Sequence, residues 1–243
     1  METMYTLCGA NGFANQLEFG MPQNSTEVGE MFDFRYRVYR EKGYIDPKQV
    51  ENDIDEYDRN GCCQYFVAKR DDSIIGTMRL IQDAALPIFN YFRFDERDDF
   101  QRVPRGKRCE IGRLIVSHCG QDTGGLLPRG LVTLFLIKCA ADYAKKQDIK
   151  LHLAFIKSKL QRKMKKRKMP VNHIQKYEQY CPAGDLLYDY FNNPQDPVAP
   201  VYFLTGEFER YLKKILNNVF FDIRNGVEFH MKNNLFTRAL FCK

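Results

Sequence analysis

Apolar residues along this chain recur at helical spacing in a few long stretches and alternate with polar residues in several short ones. The first helical stripe is Val28, Met31, Phe32, Val38 and Tyr39. Asn24-Ser25-Thr26-Glu27 ahead of it reads as a capping box, and Gly43 as its stop. Two alternating runs, 63–69 and 74–81, flank a tight Asp71-Asp72-Ser73 turn and predict a hairpin. The run 109–117, rich in branched residues, predicts a buried central strand. A helix over about 128–146 with Pro128 in its first turn, and a strand over 149–156, follow. Short strands are expected near 172–180 and 199–205, then a helix over 206–223 with the stripe Phe208, Tyr211, Leu212, Ile215, Leu216 and Val219. These elements predict an α+β fold: a flexible arm over 1–24, one domain over 25–224 and a C-terminal extension over 225–243.

Four charged residues break these apolar patterns. Arg35 lies four after Met31 and three before Val38, on the apolar face of the first helix, where it must snorkel to the edge or meet a buried anion. Arg79 interrupts the second hairpin strand. Glu110 and Arg113 sit inside the central strand, where a charge must be paired or at work. Strict alternation sends these two to opposite faces. Gly112 between them allows a bulge that brings both to one face, so a kinked strand with a polar site at the kink is expected; a structural ion pair is the competing reading.

Composition narrows the class. At 243 residues, 44% hydrophobic and 14% aromatic, the chain can bury a core, which excludes disorder. No run approaches the roughly 18 apolar residues of a membrane span, and the N-terminus has no secretory signal pattern, so the cytoplasm is expected. The eight cysteines form no C-x-x-C pair and the four histidines lie far apart, so spacing gives no zinc site, no metal is expected and no motif marks a catalytic cysteine. Residues 83–108 hold Pro87, Phe89, Tyr91, Phe92, Phe94 and Phe100 without period, as a loop folded over apolar material.

Charge is segregated. Residues 46–58 carry Asp46, Glu51, Asp53, Asp55, Glu56 and Asp58; a solvated loop is the plain reading, and the glycine and final glutamate of a calcium loop are missing. Residues 157–168 carry eight positive and no negative side chains against a net charge of +6, which leaves the rest of the chain at −2. Leu160 and Met164 could anchor one edge of such a helix. A solvated helix, a nucleic-acid site (though without stacking aromatics) and a docking face for an acidic protein all remain open at this point.

Four stretches, Arg35-Tyr36-Arg37-Val38-Tyr39, Asp53-Ile54-Asp55-Glu56-Tyr57-Asp58, Arg79-Leu80 and Glu110-Ile111-Gly112-Arg113, occur in an order and spacing that resembles the LuxI-type autoinducer synthases and their relatives, the FeeM-type N-acyl amino acid synthases. The resemblance covers about residues 25–180. It implies a GNAT-like acyltransferase fold, a central mixed, mostly antiparallel twisted sheet with flanking helices and a bulged central strand. It also implies a charged cluster of Arg35, Tyr39, Asp55, Asp58, Arg79, Glu110 and Arg113 around the acceptor site. The donor it implies is a fatty acyl thioester on acyl carrier protein, with no other cofactor. That selects among the readings of the basic segment: Lys157, Lys159, Arg162, Lys163, Lys165, Lys166 and Arg167 should dock the acidic carrier, and no nucleic acid is expected. Gln121, Gly124 and Gly125 resemble the phosphate loop of GNAT enzymes and would receive the phosphopantetheine phosphate, although Leu126 stands where a small residue belongs.

The expected reaction is direct attack of an amine on the thioester. Glu110 is the base, acting through a water, because a carboxylate in an apolar strand is a stronger base than one in solution. A backbone N–H near Leu114, Ile115 or Val116 holds the thioester oxygen. The pantetheine arm lies beside this strand, and the acyl tail runs toward the aromatic loop, with Phe89 and Phe92, and the 128–146 helix. LuxI-type enzymes use S-adenosylmethionine and typically carry N-terminal tryptophans and a serine before the strand arginine. This chain has no tryptophan, has Tyr44 or Ile45 in that region, and has Gly112 in place of the serine. The expectation is therefore an amino acid acceptor; an autoinducer synthase, and a non-catalytic GNAT-like binding module, are the alternatives.

Overall fold

The turn at Asp71-Asp72 sets the register for the middle of the sheet. Both residues are left-handed, with φ of 47° and 61°, as a two-residue hairpin loop requires, and aspartate tolerates that conformation better than most side chains. The strands it joins are β3 (Cys63–Arg70) and β4 (Ser73–Ile81). The computed structural model describes residues 1–8, 16–45, 51–95, 99–117, 130–185, 187–216, 221–224 and 228–231. Around the hairpin, β1 (Glu2–Cys8), β2 (Leu17–Met21), β6 (Arg108–Val116), β7 (Leu151–Lys157), β8 (Asn172–His173), β10 (Val198–Leu204), β11 (Phe221–Arg224) and β12 (Glu228–Met231) complete a ten-stranded sheet. Its order is β11-β12-β1-β2-β3-β4-β6-β7-β10-β8. Neighbours run antiparallel except β1 with β12 and β6 with β7. A small second sheet pairs β5 (Phe92–Phe94) with β9 (Tyr177–Gln179).

One face of the large sheet carries α4 (Leu131–Lys146), α5 (Ser158–Lys166) and α7 (Thr205–Ile215). Ten residues of α4 are buried, more than a narrow amphipathic stripe supplies, because it lies between the sheet and α7. Gly76 of β4 allows that approach, since a Cβ there would meet Val132 at 3.0 Å and Leu136 at 3.2 Å. The other face carries α1 (Ser25–Glu41) at the middle strands, where Phe34 and Val38 pack on Ile115. Beside it lies an aromatic cluster built by α3 (Ile88–Tyr91), β5 and α6 (Tyr188–Phe191). Asn24 caps α1 by accepting from the Glu27 N–H at 2.9 Å. Gly43 ends it at φ 68°, with Tyr44 N–H donating to the Tyr39 carbonyl at 2.9 Å and Gly43 N–H to Arg40 at 3.1 Å, the bonds of a Schellman motif.

Three expectations need correction. Residues 2–8 and 17–21 are not a loose arm: they are strands, and Leu7, Leu17 and Phe19 are fully buried in the main core. Leu17-Glu18-Phe19-Gly20 alternates apolar and polar or small residues, and that short pattern becomes a strand once β3 offers an edge. Part of the stretch taken as an extension belongs to the sheet as well, because β12 pairs with β1. The helix expected over 206–223 ends at Ile215, and Phe221-Asp222-Ile223-Arg224 is a strand. In sequence, Phe221 and Ile223 alternate with Asp222 and Arg224, a period of two that suits a strand and not a helix.

Phe135 is fully buried, stacks on Phe19 at 5.0 Å and meets Tyr5 edge-on at 6.2 Å. Phe135→Ala is expected to cost about 3–5 kcal/mol, the range for emptying an aromatic core position. Urea denaturation with a lower midpoint and unchanged slope would bear this out; a loss under about 1 kcal/mol would mean β1 and β2 are not integral to the core.

Candidate active site

Arg35 cannot snorkel. It is fully buried between α1 and the sheet, so its charge must be met on the spot. Asp53 meets it: Arg35 Nε donates to Asp53 Oδ2 at 2.7 Å and Nη2 to the Asp53 carbonyl at 2.8 Å. Asp58 adds a longer contact at 3.4 Å. The loop carrying these aspartates is organised by its own chemistry. Asp55 caps α2 (Glu56–Arg59) by accepting from the N–H groups of Tyr57 and Asp58, and Asp58 reaches back to the Asp55 N–H at 3.1 Å.

Arg79 of β4 closes the network from below. It makes a forked pair with Asp55, both contacts at 2.8 Å, and reaches Asp58 at 2.9 Å. Tyr65, directly across from Arg79 on β3, donates to the other Asp58 oxygen at 2.9 Å. Burial pushes the Asp58 carboxyl up, but Arg79 and Arg35 outweigh it and hold the group well below the usual carboxylate range. Arg113 supplies the third cation, 3.1 Å from both Asp53 oxygens and 3.4 Å from Asp55, with its guanidinium 5.8 Å from the Tyr39 ring. Three guanidiniums thus meet three aspartates.

The bulge in β6 is real, and its position is the surprise. Arg79 pairs with Gly112 and Thr77 with Ile115, so β6 carries one extra residue opposite Met78. The left-handed residue is Arg113, at φ 52°, and not Gly112. A non-glycine residue there costs about 1–2 kcal/mol, and the ion pairs to Asp53 hold Arg113 in place against it. The bulge turns Arg113 onto the face that Glu110 already shares with Arg79.

Glu110 is the fourth carboxylate and has no guanidinium of its own. It is 2% exposed, and its Oε2 accepts from the backbone N–H of Ile88 at 2.6 Å. Burial pushes its pKa up to about 8; the Ile88 N–H, Arg79 and Arg113 pull against this but do not cancel it. β6 and β7 also part here. Their parallel pairing runs from Arg108 with Leu151 to Glu110 with Leu153 and stops. From Ile111 onward β6 is paired on its β4 side only, so a gap opens between two parallel strands beside the carboxyl. Ser117 N–H donates to the Ile75 carbonyl of β4 at 2.9 Å, which keeps the end of β6 on its β4 side.

The remaining expected residues fall into three groups. Ile115 is buried against α1, Leu114 and Val116 pack toward the α4 core, and Phe92 is buried in the aromatic cluster while Phe89 stays 38% exposed. Lys159, Arg162, Lys163, Lys165, Lys166 and Arg167 are exposed on or just beyond α5, which is anchored by Met164 and capped from another segment by Asp196 at the Lys159 N–H, 2.8 Å. Lys157 stands apart from them: its ammonium lies over the rings of Tyr190 at 4.5 Å and Tyr44 at 5.4 Å, facing the Arg113–Tyr39 side. Gln121, Gly124 and Gly125 lie outside the described residues.

Sequence reasoning left Asp53 out of the charged cluster, although two arginines share it. It also missed Tyr65 and the Ile88 N–H. Asp53 had a signal, since it begins the Asp53-Ile54-Asp55 pair just before the cap of α2; the Ile88 amide had none, being backbone brought in by tertiary packing. A buried chain of Cys109, His152 and Thr205 is present too, with Cys109 Sγ 3.1 Å from Nδ1 and Thr205 Oγ1 3.2 Å from Nε2. Thr205 donates to the Ile149 carbonyl at 2.8 Å, so it accepts from Nε2, and Nδ1 accepts from the thiol. Burial lowers the imidazole pKa to about 4 and pushes the thiol well up, so this pair is a neutral strut and not an activated nucleophile.

The family model of the N-acyl amino acid synthase FeeM matches residues 30–182. Among solved structures, that of FeeM, an N-acyl amino acid synthase from uncultured soil microbes, is 13% identical with a TM-score of 0.54, over 82% of this chain and 96% of that one. The acyl-homoserine lactone synthase LasI is 17% identical with a TM-score of 0.54, over 83% of this chain and 95% of that one. A CoA-dependent acyl-homoserine lactone synthase, MesI, is 14% identical with a TM-score of 0.55, over 84% and 91%. At these identities the structural likeness carries the fold alone: a mixed, mostly antiparallel sheet with flanking helices and a bulged central strand, as expected from the motifs. No curated protein matches the sequence.

The raised pKa of Glu110 has a stability consequence. Between about 4.5 and about 8 the folded protein keeps a proton the unfolded chain releases, so this contribution is complete at low pH and is lost as pH rises through about 8. Glu110→Gln keeps an acceptor for Ile88 and carries no charge. It is expected to exceed the wild type at pH 9 by on the order of 1 kcal/mol or more, and to match it near pH 5. Denaturation at both pH values tests this; parallel losses in the two proteins would refute it.

Proposed function

The chain belongs to the N-acyl amino acid synthase FeeM family, and on that premise we propose that it moves a fatty acyl group from an acyl carrier protein thioester to the amine of an amino acid. Membership in the family makes it an acyltransferase; the donor, the acceptor and the residue roles are our reading. One observation carries it: a buried Glu110, its pKa pushed up by burial, stands where two parallel strands separate beside a bulge.

A pantetheine arm is a chain of amides. It fits the gap as an added strand, bonded to edges that have no strand partner there. That lays the thioester along β6 with its oxygen toward the Leu114 N–H, the donor for the negative charge that builds as the carbonyl is attacked. Glu110, once ionised, takes a proton from the acceptor's ammonium through a water. The free amine attacks the carbonyl carbon and the C–N bond forms; the C–S bond then breaks, the nitrogen's second proton passes to the departing thiolate, and Glu110 releases the first to water. No protein nucleophile is needed, because the thioester is already activated. The tail continues toward the aromatic cluster, which the fold sets on the face of the sheet opposite α4. The Asp53, Asp55 and Asp58 segment roofs the acceptor side, and Tyr39 under Arg113 lines it.

The exposed positive face of α5 fits an acidic carrier by charge, and it lies directly after β7, one wall of the gap. The cytoplasm is the compartment in which such a donor and reduced thiols coexist; Cys62, Cys63, Cys109, Cys139 and Cys181 are unpaired.

Release of free thiol from an acyl carrier thioester, with amino acids and with S-adenosylmethionine as acceptors, tests the reaction directly. No release with any amino acid would refute it. Glu110→Gln is expected to lower kcat by about 10²–10⁴-fold and to abolish a rise in rate with pH that levels near pH 8 in the wild type. Lys163→Glu with Lys166→Glu is expected to raise KM for the carrier thioester about tenfold at low salt, with the difference shrinking as salt is added. A short pantetheine thioester should not distinguish this variant from the wild type; an unmoved carrier KM would rule out docking on α5.

A further inference from the structure

A cavity of about 800 Å³ opens where the 83–94 segment meets residues 101–108, and the reaction described above makes no use of its charged side. Its volume is within the range of small-molecule sites, roughly 300–1,000 Å³. One side is apolar: Phe89, partly exposed, meets Phe94 edge-on at 5.8 Å. The other side holds Arg93, Arg105 and Arg108.

Arg108 is the unusual member. It is 6% exposed, yet its bonds go only to neutral acceptors: Nε to the Val103 carbonyl at 2.6 Å, Nη1 to the Gln101 side-chain oxygen at 2.9 Å and Nη2 to the Gln101 carbonyl at 2.7 Å. That uses three of the five guanidinium N–H donors. Among the described residues no carboxylate pairs with Arg93, Arg105 or Arg108; Asp99 pairs with Arg102, and Asp83, next to the lining residue Ala84, is engaged by the Ala85 N–H and the Cys62 thiol. Glu178 sits across from Arg93 on β9 without reaching it. In the arginine cluster of the active site every guanidinium has its aspartate. Here a buried guanidinium has none, beside an unfilled cavity with an aromatic wall.

We infer that this cavity is a binding site for an anionic amphiphile, an alkyl chain ending in a carboxylate, with the carboxylate on Arg108 between Arg93 and Arg105 and the chain along Phe89 and Phe94. Guanidinium forks match a carboxylate's two oxygens, and an alkyl chain removes exposed aromatic surface from water. Two sources share this chemistry, a free fatty acid and an N-acylated amino acid. The site adjoins the proposed base: Arg108 is two strand positions before Glu110, about 7 Å along β6, and Phe89 follows Ile88, whose N–H holds the Glu110 carboxyl. An occupant therefore bears on the catalytic carboxyl without filling the gap between β6 and β7; this last step rests on the proposed acyl transfer, whereas binding itself does not.

Calorimetric titration of the full chain, with no acyl donor present, tests the site with dodecanoate, N-dodecanoylglycine and dodecanol. At least one carboxylate is expected to bind ten times tighter than dodecanol or better, and the tighter of the two identifies the source. Arg93→Glu with Arg105→Glu, both exposed positions, should weaken that binding at least tenfold while kcat/KM for acyl transfer stays within twofold. Dodecanol binding equal to the carboxylates, or a double variant that loses no binding, overturns the inference. So does a double variant whose kcat/KM falls with its affinity, since the cavity would then be the acyl channel. Because the titration reads binding alone, a chain that transfers no acyl group still gives a decisive result.

Discussion

Three guanidiniums, two buried and one half-buried, must be neutralised, and that requirement shapes everything around the site. Arg35 comes from a helix, Arg79 from a central strand and Arg113 from a bulge, so no local structure brings them together. What does is a short segment with Asp53, Asp55 and Asp58, each contacting two of the three cations. Removing one partner from such a set leaves a charge stranded away from water, a penalty of several kcal/mol. The segment is thereby fixed to both the helix and the sheet, although most acidic loops are free and solvated.

Glu110 is left over from that pairing. With the aspartates already matched to the arginines, an ionised Glu110 would add an uncompensated negative charge in a dry place, and its pKa rises accordingly. Arg79 and Arg113 of the same network oppose that rise without cancelling it. The buried imidazole nearby, His152, is held by burial at a pKa of about 4 and serves as a strut between Cys109 and Thr205.

The bulge shows the same economy. Gly112 could take a left-handed conformation without cost, yet the structure gives it to Arg113. A glycine in that position would make the turn but could not deliver a guanidinium to Asp53. Strain at one residue is offset by two ion pairs, and the displaced register leaves β6 unpaired on the side where β7 departs. Lys157, at the far end of β7, contributes to this region and not to the basic face of α5, its ammonium covered by Tyr44 and Tyr190.

Local pattern settled a great deal of this protein. The hairpin with its Asp-Asp turn, the caps of α1, the core face of α4 and the identity of the residues that break apolar periodicity were all legible, because each depends on side chains within a few positions of one another. So was the family resemblance, which rests on the order of Arg35, Asp55, Arg79 and Glu110 along the chain. Three things were decided only in three dimensions. Residues 2–8 and 17–21 became strands because β3 offered them an edge, and β12 joined because β1 then offered another. Asp53 entered the network because two arginines far apart in sequence converge on it. The raised pKa of Glu110 follows from its burial, and the lack of a carboxylate on Arg108 from which elements pack around it. Sequence fixes what a residue is and how its neighbours alternate; exclusion of water and convergence of distant charges exist only once the sheet and α1 have closed over them.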